Sequence, residues 1–308
     1  MEYLINKEQD GLLLRYFMRN TAKISGGFLK KLKKDKNAIT VNGTHQNVTY
    51  VLREGDRVKL LTEDTEDDVD GKLIPVDIPL DIIYEDENIT VVNKPSDMPT
   101  HPSHNHYTDT LANALAFKYR QRPYIFRAVN RLDRDTSGVV LTANNRNYGA
   151  ILSQMIRDKK IQKEYIAIVS GRLEGEGDIE APIARVGRSI IEREVRDDGE
   201  YALTHYRSLC ACDKISVIAA FPKTGRTHQL RVHFAYIGHP IVGDEIYGEK
   251  SDEIQRQALH ALKMSADGIG TFTAPLPNDM RALADRYFTN VENIINAESI
   301  LNCESFEK

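Results

Sequence analysis

The sequence predicts a mixed α+β protein, with a largely antiparallel sheet and flanking helices in its main domain and a small domain ahead of it. From residue 81 onwards, short β runs alternate irregularly with helical segments, and most runs have the pattern of a half-buried strand. There is no fixed-period repeat and no low-complexity tract. The 308 residues are 41% hydrophobic and 28% charged, an ordinary globular composition with room for two domains.

Residues 1–62 predict a small compact unit. The stretch 11–19 has the pattern of a short helix, and Ser25 is placed to cap a second helix over 26–36. Two short strands, each beside a turn, are expected at 39–43 and 53–61. Lysines occupy the positions of the second helix that its apolar face leaves free: Lys30, Lys31, Lys33, Lys34 and Lys36.

Charge divides the chain at about the same point. Residues 1–62 contain 12 Lys and Arg against 6 Asp and Glu, a charge of +6, whereas the rest carries −10 and the whole chain −4. Such an asymmetry suggests a basic, nucleic-acid-binding module attached to a larger body. A chance distribution of surface charge is the alternative.

A linker is expected over residues 63–80. Six of the eight residues 63–70 are acidic, which predicts a solvated segment, and Pro75 and Pro79 predict a semi-stiff connector. The main domain is then expected over 81–302.

The main domain shows strand and helix patterns in turn. Two β runs around an acidic turn are expected within 82–95, and further runs at 127–130, 137–144, 163–171, 202–209 and 215–221. Helices are expected at 111–120, 146–159 and 226–238, the last ending at a glycine.

The sequence lacks the signatures of several functional classes. It has no P-loop, no dinucleotide-binding glycine motif, no H-E-x-x-H and no C-x-x-C, so nucleotide-driven and dinucleotide-driven reactions have no support. No apolar run approaches about 18 residues, and the N-terminus lacks a signal-peptide pattern. Cys210, Cys212 and Cys303 are too few to staple this chain, so we expect free thiols in the cytoplasm, the first two as small core residues on one strand face.

A histidine-rich loop raises the question of a metal site. His101, His104 and His106 lie close together, but no fourth ligand follows at a matching spacing. An exposed loop is therefore the favoured interpretation, and no bound metal is expected. A metal-dependent hydrolase that uses these histidines remains the alternative.

Three stretches could carry chemistry. The segment 130–138 is a charged, glycine-terminated loop between two strands, where function is often displayed, although an ordinary polar turn is the alternative. In the segment 223–233, Arg231 and His228 are three positions apart and share a helix face that could pair with a buried carboxylate or hold phosphates. A structural salt bridge is the alternative there. Tyr165 lies on a strand and is by itself best explained as a core residue.

These stretches, taken together and in order, resemble the motifs of a known family. R-L-D-x-x-T-S-G at 131–138, K-E-Y-x-A at 163–167 and G-R-T-H-Q-L-R-V-H at 225–233 look like the motifs of the RluA/RluD family of RNA pseudouridine synthases. Further segments resemble that family's leading and closing motifs, at 84–95, 238–248, 259–261 and 272–277. The resemblance spans about residues 81–280. Residues 11–62 resemble the α-L type RNA-binding module that precedes many such synthases.

The resemblance implies a reaction and a set of roles. It implies a pseudouridine synthase-type fold and the isomerisation of uridine to pseudouridine in RNA, without cofactor or metal. Asp133 would be the nucleophile, Tyr165 would lie against the base, and Arg231 would be the partner of Asp133. Arg131 would fill the stack that the flipped base leaves. Lysines of the second predicted helix are expected to contact RNA phosphates: Lys30, Lys31, Lys33 and Lys34.

The sequence leaves the RNA target, the point of attack and the assembly state open. Large-subunit ribosomal RNA is the favoured target, and transfer RNA or a non-catalytic role in RNA binding or ribosome assembly are the alternatives. Asp133 could attack C1′ or C6 of the nucleotide, or assist glycal formation. Many family members have His where this chain has Asn130, which is expected to affect loop packing or target choice rather than activity. A monomer without membrane association is favoured.

Overall fold

The computed structural model describes residues 1–65, 69, 71–187, 189, 191–291 and 293–295. Four acidic residues of the expected linker, at 66–68 and 70, lie outside the described residues, as do the end of the expected main domain and Cys303.

The N-terminal unit, which we call the module (residues 1–62), packs two helices on a four-stranded sheet. The helices are α1 (Leu14–Asn20) and α2 (Gly26–Leu32). The strands are β1 (Glu2–Leu4), β2 (Ile39–Val41), β3 (Thr44–His45) and β4 (Arg57–Leu60), in the order β1-β4-β2-β3. The Ser25 hydroxyl accepts a hydrogen bond from the Phe28 backbone N–H at 3.1 Å, so the predicted cap is confirmed. The helix ends earlier than its lysine-rich pattern suggested.

The body contains one large sheet that is antiparallel except at one pair of strands. The described residues contribute nine strands to it: β5 (Asp81–Glu85), β6 (Ile89–Lys94), β7 (Ser137–Ala143), β8 (Ile161–Ser170), β9 (Glu176–Glu180), β12 (Leu203–Ala211), β13 (Ile215–Pro222), β14 (Leu259–Ala266) and β15 (Gly270–Thr273). Their order is β5-β6-β7-β14-β8-β13-β12-β9, and β15 pairs with β14. A separate two-stranded ribbon consists of β10 (Ile183–Arg185) and β11 (Arg193–Val195).

Within the described part of the body, these helices accompany the sheet: α3 (Leu111–Lys118), α4 (Arg146–Arg157), α5 (Gln229–Tyr236) and α6 (Asn278–Asp285). Buried apolar residues of the central strands and of α3, α5 and α6 form one core, and α4 covers a second core on β6 and β7. The predicted α+β class and largely antiparallel sheet are confirmed.

Two element predictions were wrong. The expected strand at 127–130 contributes only an isolated bridge from Ala128 to Thr142. The helix expected from residue 226 begins at Gln229, because His228 has a left-handed backbone with φ +58° that a right-handed helix cannot include. The predicted glycine end is confirmed, since Gly238 follows the helix with φ +82°.

The segment between module and body is partly buried, which contradicts the expectation of a solvated linker. The Asp64 side chain is 1% exposed, and its carboxylate accepts hydrogen bonds from the Arg127 guanidinium at 2.9 Å and the Ile125 backbone N–H at 3.1 Å. Further along, Leu73, Ile78 and Leu80 pack against the core of the body. Asp64, whose carboxylate has a cationic partner, is therefore buried, although the adjacent Glu63 is exposed.

Candidate active site

A cleft of about 1000 Å³ opens on the body, where the loop 130–137, strand β8 and the turn before α5 meet. It brings together the three catalytic candidates from distant parts of the chain: Asp133, Tyr165 and Arg231. An Asp133 carboxylate oxygen (Oδ2) lies 3.5 Å from Nη1 of Arg231 and 3.9 Å from Nε2 of His228. The cleft therefore presents one carboxylate to a guanidinium and an imidazole.

Buried hydrogen bonds fix the backbone of the loop that carries Asp133. The Thr100 hydroxyl donates to the Leu132 carbonyl at 2.9 Å and accepts from the Leu132 N–H at 3.1 Å. Asn130 contributes its amide, which donates to the Val139 carbonyl at 2.9 Å and accepts from the Leu141 N–H at 3.1 Å. The residue that departs from the usual family pattern is thus integrated into the base of the loop.

Lys94 contacts the same loop from the end of β6. Its ammonium is fully buried and donates to three backbone carbonyls, of Pro95 and Met98 at 2.7 Å and of Arg134 at 3.0 Å. Burial lowers the pKa of Lys94 to about 7, although the nearby charges of Asp135 and Asp133 act in the opposite direction. The side chain connects the leading motif of the sequence to the backbone beside Asp133.

The end of the loop is fixed by an unusually close approach of two strands. Gly138 has φ +114°, and a Cβ at this position would lie 2.2 Å from the Ala261 carbonyl oxygen. Only glycine can therefore occupy the site where β7 and β14 run parallel. Beside it, the Ser137 hydroxyl and Nδ1 of His260 are hydrogen-bonded at 2.9 Å, and Nε2 of His260 lies 3.3 Å from the Ala274 carbonyl.

Arg231 is anchored by a second carboxylate, Asp244. Nε and Nη2 of the guanidinium donate to the two oxygens of Asp244, each at 2.7 Å, and both side chains are buried. Burial opposes the charged guanidinium, but the hydrogen bonds and the charge of Asp244 outweigh it and hold the pKa of Arg231 above its ordinary value. This geometry leaves only Nη1 to face Asp133.

The left-handed backbone of His228 directs its ring into the cleft. Nδ1 of the ring is hydrogen-bonded to the Tyr247 hydroxyl at 2.8 Å, while Nε2 faces Asp133. Burial lowers the pKa of His228 despite the raising influence of Asp133, which favours a neutral imidazole. His228 and Arg231 both approach Asp133, but not from one helix face as predicted, because His228 precedes α5 in a left-handed conformation.

Tyr165 lies in β8, between Ala220 of β13 and Ala261 of β14. The residue is 9% exposed. Burial, followed by the negative charge of Asp133, raises the pKa of its phenol above the ordinary value. The group next to the carboxylate is thus a neutral phenol.

The RNA-binding candidates lie in two places. Arg131 is exposed and lines the mouth of the cleft. Lys30 and Lys31 lie in the last turn of α2, and Lys33 and Lys34 lie just after it. All four are exposed and outside the cleft lining.

The histidine loop shows no arrangement of ligands in the described structure. His106 pairs with Asp109 at 2.5 Å, and His101 packs edge-on against Phe126. Across the residues that the structure describes, no three His, Cys, Asp or Glu side chains come together as a metal site. No helix of this described part is both long and apolar enough to cross a membrane.

Comparison with known proteins identifies the family. Residues 88–236 match the RNA pseudouridylate synthase family. The RNA pseudouridine synthase YjbO of Bacillus subtilis is 41% identical over 268 residues, which cover 84% of this chain and 94% of that protein. The chain belongs to the RNA pseudouridine synthases.

Two further relatives agree with this assignment. Ribosomal large subunit pseudouridine synthase D of Nitrosomonas europaea is 34% identical over 265 residues, covering 81% of this chain and 76% of that protein. The solved structure of human RNA pseudouridylate synthase domain containing 1 is 26% identical, covers 68% of this chain and 96% of that one, and has a TM-score of 0.52. The synthase is therefore an isomerase, as the motifs implied.

Sequence reasoning missed several residues that shape this synthase's cleft. Asp244 lies in the glycine-rich segment 238–248, and its only signal was an acidic residue within a matched closing motif. Lys94 and His260 likewise lie in matched motifs, but their roles depend on which backbone groups surround them. None of these contacts follows from spacing along the chain.

Proposed function

We propose that this synthase converts uridines of large-subunit ribosomal RNA to pseudouridine, with Asp133 as the catalytic carboxylate. The observation that carries the proposal is the position of Asp133: its half-buried side chain is presented to the cleft between Arg231 and His228. The name of the Nitrosomonas relative supports the choice of RNA.

The reaction breaks the C1′–N1 bond of uridine and joins C1′ to C5. Asp133 assists this exchange by attack at C1′ or C6, or by assisting glycal formation, and is regenerated when the new bond has formed. The C5 proton leaves, and N1 gains a proton, so that the product is an isomer of the substrate. No water is consumed and no redox change occurs.

The neighbouring side chains have distinct roles in this proposal. Tyr165 lies against the base and, as a neutral phenol, can take part in moving the C5 proton. Arg231 positions the Asp133 carboxylate, because Asp244 fixes the guanidinium and directs Nη1 into the cleft.

Binding requires the uridine to leave its stack, as in other enzymes that act on a base. Arg131 at the cleft mouth would occupy the space that the uridine leaves. The lysines of α2 would contact phosphates without reading sequence.

The proposal is tested by mapping pseudouridines in total RNA from cells with and without this gene. We expect one or more sites in large-subunit ribosomal RNA to disappear and to return with the wild-type gene, but not with Asp133→Asn. Asp213→Asn, in the exposed turn after β12, is the matched control and should restore the sites. Sites lost only from transfer RNA would overturn the choice of target, and restoration by Asp133→Asn would overturn the role of Asp133.

A further inference from the structure

Helix α4 connects the cleft to the module. At its C-terminal end, the exposed residues Arg157 and Lys159 line the rim of the cleft. Lys163 of β8 lines the same cleft, half-buried, and desolvation lowers its pKa. This rim is cationic and lies on the side of the cleft formed by α4 and β8.

The other end of α4 is packed against the module. The Arg146 guanidinium lies 5.6 Å from the centre of the Phe28 ring of α2, and its backbone N–H donates to the Thr62 carbonyl at 3.0 Å. Ala150, one turn further along, packs against the apolar core of the module. Together with the ion pair between buried Asp64 and half-buried Arg127, these contacts fix the basic helix α2 relative to α4.

A single stripe of α4 joins these two ends. Arg146, Ala150, Gln154 and Arg157 recur at helical spacing and therefore share one face. Gln154 is exposed and bonded to the Arg157 guanidinium at 2.7 Å. No Asp or Glu occurs in residues 146–157, and Asp158, which follows the helix, accepts a hydrogen bond from the Gln154 amide at 2.7 Å.

We propose that the RNA strand leaving the cleft crosses this stripe of α4 to reach the lysines of α2. The inference rests on the proposed function, because it assumes that the cleft holds the target uridine. The seven residue-to-residue steps from Ala150 to Arg157 rise about 10 Å, which corresponds to about three nucleotides at a stacked spacing. One flank of the uridine is therefore recognised by the module at a fixed distance, and the other flank is not.

The first test measures RNA affinity against salt for full-length variants. Arg157→Gln is compared with Lys214→Gln, which removes the same charge from an exposed lysine at the opposite end of β13 from the cleft. We expect Arg157→Gln to flatten the log–log salt slope by about 0.7, the value for one phosphate contact on a single strand, and Lys214→Gln to leave it unchanged. Gln154→Glu, which places a negative charge on the stripe, should weaken binding by itself.

The second test varies the RNA. Either flank of the target uridine is shortened stepwise, and binding by wild type is compared with binding by Lys30→Gln/Lys31→Gln. The lysine substitutions should cease to matter once one particular flank is shorter than about three nucleotides, whereas shortening the other flank should have no such effect. Arg157→Gln should still weaken binding to that shortened RNA.

The outcomes separate the two proposals. If Arg157→Gln and Lys214→Gln behave alike, or if the lysine effect is independent of both flanks, the path across α4 is wrong even when wild type forms pseudouridine. If wild type releases no tritium from 5-tritiated uridine in ribosomal RNA, the proposed function fails, while the binding measurements still decide the path. Urea unfolding of each variant checks that the fold is retained.

Discussion

At the residue scale, the Arg231 guanidinium faces two carboxylates that have different surroundings. Asp244 is completely buried and makes two hydrogen bonds of 2.7 Å to the guanidinium, whereas the Asp133 side chain is 21% exposed and 3.5 Å away. Removing one member of a buried ion pair leaves the other charge without compensation. The structural partner of Arg231 is therefore Asp244, and Asp133 is the charge that faces the substrate.

Replacing Arg231 by Leu should lower the free energy of unfolding by about 3–5 kcal/mol, because it strands the Asp244 carboxylate. Asp244→Asn in the same chain should restore much of that loss, since its amide oxygen can still accept the Ile246 and Tyr247 N–H groups. Asp133→Asn should restore little. Urea unfolding in two double-mutant cycles measures both couplings. A larger coupling with Asp133 than with Asp244 would contradict this assignment.

His260 makes stability sensitive to acid. Its ring is fully buried, and burial lowers its pKa from 6.5 to about 4. Below pH 6.5 the unfolded chain binds a proton at His260 that the folded chain does not, so stability is lost as the pH falls from 6.5 towards 4. Relative to His260→Gln, wild type should lose about 2 kcal/mol between pH 7 and pH 5.

This pH dependence is measured by urea unfolding of both proteins at pH 7 and pH 5. His104→Gln, an exposed histidine with the same substitution, is the control and should follow wild type at both values. An equal loss of stability in wild type and His260→Gln would show that His260 does not carry the effect.

At the element scale, the only parallel pair of the main sheet among the described strands determines where the Asp133 loop ends. Strands β7 and β14 are adjacent at Ser137 and Gly138, and they approach so closely that the backbone of Ala261 occupies the space of a side chain at residue 138. The Ser137–His260 hydrogen bond closes the same junction. The loop is therefore held between two strands that are more than a hundred residues apart in sequence.

Gly138→Ala should destabilise the protein by about 2–5 kcal/mol, because it adds a clash with the β14 backbone to the strain of a positive φ. Gly175→Ala is the matched control, since Gly175 also has a positive φ of +74° but no heavy atom within 4 Å of an added Cβ. Its cost should be about 1–2 kcal/mol. Equal losses in urea unfolding would show that the close approach does not contribute.

At the scale of the whole molecule, charge and packing work together. The module carries +6 and the rest of the chain −10, so long-range attraction of RNA is concentrated on the module. The module is held against the body, which carries the cleft, by contacts of Arg146 and Ala150 and by the Asp64–Arg127 pair. Deleting residues 1–62 would also expose this junction, so charge substitution is the cleaner test.

A full-length variant with Lys30 and Lys31 of α2, and Lys33 and Lys34 just after it, all changed to Gln should bind RNA more weakly. Its salt slope should fall by about 0.7–0.9 for each phosphate that the variant no longer binds. The single-turnover rate at saturating RNA should change much less, because the cleft residues are untouched. An unchanged affinity and salt slope would show that the module does not bind RNA.

Much of this protein could be predicted from its sequence. The α+β class follows from local patterns, and the motifs around Asp133, Tyr165 and Arg231 indicate the family because each motif is a short, continuous run of residues. Propensity and side-chain periodicity act over a few residues, which is the distance over which a sequence can be interpreted directly. The positive charge of α2 could also be recognised from the sequence alone.

Only the tertiary structure decided which distant groups meet. Asp244 as the partner of Arg231, the approach of Ala261 to Gly138, and the burial of Asp64 against Arg127 each join separate segments of the chain. The left-handed turn at His228 also depends on tertiary structure, because an unfavourable backbone conformation is retained only where surrounding contacts stabilise it. The sequence by itself determined which chemical groups are available, and packing determined which of them face one another, since contact energies depend on neighbours that local periodicity does not specify.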